Sequence, residues 1–82
     1  MIEVKVLGPG CPRCNQLYAE ARKAVADSGI AATVDKVTDF KEIQAHGILL
    51  TPGLVIDGKV VSSGKVCKAA EITGWMQEAS EK

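Results

Sequence analysis

Apolar residues recur along this chain with two alternating periods. From Ile2 to Leu7 the pattern is that of a strand, with Ile2, Val4 and Val6 on one face and Glu3, Lys5 and Leu7 on the other. Residues 12–28 switch to a helical period: Leu17, Ala21, Ala24 and Val25 make one stripe, and Asn15, Gln16, Glu20, Arg22, Lys23 and Asp27 fall mostly outside it. Gly29 suits the position just past a helix end. A second strand fits Ala31 to Val37, where Thr33, Val34 and Val37 are good β-formers. Asp39 opens a short helix, with Glu42 placed for a capping box, Phe40 and Ile43 as the apolar stripe and Gly47 as the stop. Leu54-Val55-Ile56 reads as a third strand, Asp57-Gly58 as a hairpin turn and Lys59 to Ser62 as the returning strand. From about Lys68 onward, Ile72, Trp75, Met76 and Ala79 form a last helical stripe, read mainly as core.

The order is therefore β-α-β-α-β-β-α, with no repeat, linker or low-complexity segment. The first βαβ unit predicts two parallel strands joined by a right-handed crossover, and the hairpin adds an antiparallel pair. An α/β fold follows: a four-stranded mixed sheet with helices on both faces. A chain of 82 residues has room for a single domain, 1–82. Ten basic and ten acidic side chains cancel, which removes the broad positive field of a nucleic-acid or anionic-membrane binder. No apolar run approaches the roughly 20 residues that span a bilayer. The N-terminal alternation does not resemble a secretory signal. Three cysteines are too few for a disulfide-stapled scaffold, so a reducing cytoplasm is the expected location.

Chemistry concentrates in Gly8-Pro9-Gly10-Cys11-Pro12-Arg13-Cys14, between the first strand and the first helix. Pro12 fits the first helical position, because its φ is already helical and its missing N–H would have no partner there. Cys11 then falls at the N-cap, where unpaired N–H groups and the helix dipole favour a thiolate. Arg13 adds a permanent positive charge. Once a helix begins at Pro12, residues three apart share a face, so Cys11 and Cys14 are close enough for a small disulfide ring. A Cys-x-x-Cys pair is also half of many zinc sites, and Cys67 and His46 could complete a Cys₃His set. Cys67 falls where the last helix should begin; its readings are a relay thiol, a metal ligand or, foremost, a small buried side chain. His46 reads as a polar residue at a helix C-terminus, Tyr18 as a border of the site or a surface aromatic, and Lys65 and Lys68 as solvated.

The element order, Cys11-Pro12-Arg13-Cys14 after the first strand, and Thr51-Pro52 before the third strand together resemble the thioredoxin/glutaredoxin superfamily. More narrowly, the chain resembles the small thioredoxin-like, redox-active disulfide proteins of archaea and bacteria, from Ile2 to about Ala79. The resemblance implies a monomeric thiol–disulfide oxidoreductase that reduces protein disulfides in cell redox homeostasis. Cys11 matches the exposed attacking thiol and Cys14 the buried resolving thiol. Thr51-Pro52 matches a cis-proline loop that pairs with extended substrate beside Pro12 and Arg13. No cofactor beyond the Cys11–Cys14 disulfide is implied, and the implied electron donor is of the thioredoxin-reductase type. The chain also departs from its relatives. Gly10 stands where larger thioredoxins carry Trp, and Pro-Arg replaces Gly-Pro or Pro-Tyr. Ser62-Ser63-Gly64-Lys65 replaces the Gly-Gly turn and acidic residues that help hold glutathione, which speaks against glutathione as a ligand. The competing class is a non-catalytic metal or metalloid carrier using Cys11, Cys14 and Cys67.

Overall fold

Seven elements follow in the expected order: β1 (Ile2–Leu7), α1 (Pro12–Ser28), β2 (Ala32–Val37), α2 (Phe40–Ala45), β3 (Gly53–Ile56), β4 (Lys59–Ser63) and α3 (Ala69–Ser80). The structure is a computed structural model and describes residues 2–10, 12–47 and 50–80. Cys11, the expected attacking thiol, lies outside the described residues. The strands form one mixed sheet in the order β2-β1-β3-β4. β1 runs parallel to β2, and β3 is antiparallel to both β1 and β4. Asp57 and Gly58 turn the hairpin with φ of 51° and 80°, the left-handed pair that matches strand twist and that Asp-Gly supplies at low cost.

Strand alternation sorts the core into two layers. Ile2, Val4 and Val6 of β1 join Leu54 and Ile56 of β3 beneath Leu17, Ala21 and Ala24 of α1 and Ile72 and Met76 of α3. Leu7 and Val55 face the other way and meet Val37 of β2 and Ile43 of α2. β3 is buried along its whole length because both of its faces are covered. The second layer is smaller, since α2 has only six residues, and Glu3 stays exposed. Leu17 is fully buried at the centre of the larger layer, where truncation to Ala costs about 2–5 kcal/mol.

Two details differ from the sequence reading of α2. Phe40 is 65% exposed rather than part of a buried stripe. It is the first residue of the helix, its Cβ tilts toward the helix start, and a helix this short presents one inward position, Ile43. Asp39 does cap the helix, but its Oδ1 accepts from the Lys41 N–H at 2.9 Å instead of the N–H of Glu42.

The topology also decides where chemistry can sit. Leu7 pairs with Val37, so the parallel strands β1 and β2 end together. Gly53 pairs with both Leu7 and Ser63, so β3 begins and β4 ends at that same edge. The loops before α1, before α2, before β3 and after β4 therefore meet at one end of the sheet.

Candidate active site

Cys14 is the third residue of α1, and its side chain turns inward, 4% exposed. Its sulfur packs directly on the backbone of Gly8, the first residue after β1. A Cβ placed on Gly8 would collide with Cys14 Sγ, lie 3.0 Å from Cys14 Cβ and 3.9 Å from Pro52 Cα. No side chain fits between them. Gly8 is held there by its N–H, which donates to the Val37 carbonyl at 2.9 Å and prolongs the β1–β2 ladder by one bond. Pro52 is buried, and the Thr51–Pro52 peptide bond is cis. Cys14 and Pro52 thus both border Gly8, although the three come from separate segments.

Gly64 joins this group to the far side of the helix start. Its N–H donates to the Pro52 carbonyl at 2.9 Å, and its own carbonyl accepts from Arg13 Nη2 at 3.0 Å. Its φ is +78°, and a Cβ there would stand 3.1 Å from Leu50 Cβ, so both conformation and space call for glycine. Arg13 is therefore more than a charge beside a thiol: its guanidinium ties α1 to the loop after β4, and through Gly64 to Pro52. Pro12 takes the first helical position, as its fixed φ suggested, and is exposed. Gly8 and Gly64 escaped the sequence reading as site residues. The only local signal was a glycine beside each strand end, which turns and close approaches share.

The remaining candidates sit apart from this group. Cys67 is 1% exposed and lies two residues ahead of α3, in the larger core layer with Leu17, Ile72 and Met76. His46 is the C-cap of α2, and Lys65 and Lys68 are exposed. Tyr18 is half-buried against the core rim, with Lys36 Nζ 4.8 Å and Arg22 Cζ 5.8 Å from its ring centroid. Lys36 Nζ also donates to Asn15 Oδ1 at 3.2 Å. Among the described residues no group of three or more His, Cys, Asp or Glu side chains is arranged to hold a metal ion.

Comparison with known proteins agrees with the fold. Residues 2–77 match the family model of the thioredoxin domain. The chain is 43% identical over 72 residues to the thioredoxin of Methanocaldococcus jannaschii, covering 88% of this chain and 83% of that one. It is 35% identical over 72 residues to the thioredoxin of Methanothermobacter thermautotrophicus, covering 88% of this chain and 94% of that one. The chain belongs to the thioredoxin-domain family, and it is a thiol–disulfide oxidoreductase of the protein-disulfide reductase kind. That family implies protein disulfides as substrates and a reductase as partner in general terms. Among the described residues, no helix is long and apolar enough to cross a membrane.

Proposed function

We propose that Cys11 and Cys14 are the redox pair, and that Cys11 attacks while Cys14 resolves. The Cys11 thiolate displaces one sulfur of a target disulfide, which leaves as a thiolate and takes up a proton; a mixed disulfide forms. Cys14 then gives up its proton and attacks Cys11 Sγ, and the second target sulfur leaves. Two electrons and two protons pass to the target, and the chain is left with a Cys11–Cys14 disulfide. A helix N-terminus lowers a thiol pKa, which suits the attacking position.

The observation that carries this reading is the seat of Cys14. A buried sulfur packed on Gly8 beside Pro52 is shielded from bulk targets, yet it adjoins the helix start where a neighbouring sulfur would be presented. In this reading Thr51 and Pro52 line the path of the extended substrate, with Pro12 and Arg13 opposite. The family match from residue 2 to 77 supports 1–82 as one thioredoxin-like domain. It acts as a cytoplasmic monomer without further cofactor, and a thioredoxin-reductase-type donor restores the dithiol. Nothing among the described residues favours the metal-carrier alternative, and Cys67 is committed to the core.

Insulin reduction with dithiothreitol as regenerating reductant tests the proposal. The wild type should accelerate it over dithiothreitol alone, and Cys11→Ser should fall to the uncatalysed rate. Full turnover by Cys11→Ser would refute the assignment.

A further inference from the structure

The placement of Arg13 bears on which disulfides are favoured. Its guanidinium is anchored to the Gly64 carbonyl at 3.0 Å, and the Gly64 N–H is anchored to the Pro52 carbonyl at 2.9 Å. A cation is thereby fixed on the rim of the Pro52 loop, on the residue next to Cys14. We infer that Arg13 is a specificity-determining residue that favours disulfides carrying a carboxylate side chain close to the attacked sulfur. This inference rests on the dithiol reading given above.

Three physical points support it. The Gly64 carbonyl is a neutral acceptor and occupies one of the five guanidinium N–H donors, so the tether leaves the charge unneutralised. Arg13 is exposed, and its planar fork matches a carboxylate bidentately. The tether also restricts the side chain before substrate arrives, which reduces the rotamer entropy lost on binding. The chain carries ten basic and ten acidic residues, so such a preference cannot come from net charge and must arise locally. An extended peptide advances about 3.3 Å per residue, which puts the favoured carboxylate within about three residues of the target cysteine. The carboxylate makes and breaks no bond; the dithiol still delivers two electrons and two protons to the disulfide.

Three cyclic disulfide peptides of sequence X-Cys-Gly-Gly-Cys-X, with X as Glu, Gln or Lys, provide the test. Each is reacted with the pre-reduced full chain, and second-order rate constants are read from loss of protein thiols. Dithiothreitol, which has no docking surface, gives the intrinsic ratio among the peptides. Relative to that ratio, the wild type should favour the Glu peptide over the Lys peptide by about three- to tenfold at low salt. The preference should shrink as ionic strength rises. Arg13→Gln should return the ratio to that of dithiothreitol, and Arg13→Lys should keep part of the preference. The ratio is a readout that a purely structural role for Arg13 would not move. An Arg13→Gln ratio equal to the wild type's, or a wild-type ratio equal to that of dithiothreitol, overturns the inference alone. A wild type that reacts with none of the peptides overturns the dithiol reading and this inference with it.

Discussion

The sulfur of Cys14 rests on the backbone of Gly8, with no room for a methyl group between them. The contact joins the first turn of α1 to the end of β1, and it sets the depth at which the Cys14 sulfur sits. Gly8→Ala should therefore act as a local overpacking mutation. The added Cβ collides with Cys14 Sγ and stands 3.0 Å from Cys14 Cβ, so the sulfur must leave its seat or the first turn of α1 must move away from Gly8. A loss of about 1–3 kcal/mol in urea unfolding is expected, together with slower insulin reduction. A variant as stable and as active as the wild type would show that the contact yields freely.

Gly64 is expected to be as intolerant, for a different reason. Its φ of +78° is unfavourable for alanine, and its Cβ would press on Leu50. Gly64→Ala should cost about 1–3 kcal/mol by chemical denaturation and weaken both bonds that Gly64 makes, to Pro52 and from Arg13. Unchanged stability would contradict the backbone conformation described here.

Much of this was legible in the chain itself. The β1 alternation, Pro12 at the helix start and Asp57-Gly58 at the hairpin are local signals, and each element they mark formed where expected. The partner of Arg13 was not legible, because Gly64 lies 51 residues away and meets it only when β4 ends at the same sheet edge as β1. The role of Gly8 was hidden for a related reason: a glycine between a strand and a helix signals a turn, and only packing shows that it makes room for sulfur. Phe40 misled because helical spacing identifies a face without showing whether anything covers it. Cys67 was ambiguous, since a lone thiol near a helix start suits reactivity and burial alike.

Burial now sets an expectation for Cys67. With the side chain 1% exposed in the apolar layer, Cys67→Ser places a hydroxyl where partners are scarce and should cost about 1–3 kcal/mol. Cys67→Ala should cost less, and both should keep the wild-type rate of disulfide reduction while folded. Thermal melts beside activity assays check this. A normal melt with lost turnover would instead make Cys67 part of the redox path.

Ser62 gives the opposite expectation. Its Oγ is buried and has no hydrogen-bond partner among the described residues. Ser62→Ala removes that unsatisfied group and should be neutral or stabilising by up to about 1 kcal/mol. A clear loss in urea unfolding would mean that the hydroxyl does have a partner.

The division of labour between the two motif thiols is tested most directly by trapping. Reduced Cys14→Ser protein, mixed with a disulfide-containing protein and examined by intact mass spectrometry, should accumulate one covalent adduct per chain. The adduct should map to Cys11 by peptide mapping and be released by dithiothreitol, whereas Cys11→Ser should form none. Adducts through Cys67, or trapping by Cys11→Ser in place of Cys14→Ser, would contradict the mechanism.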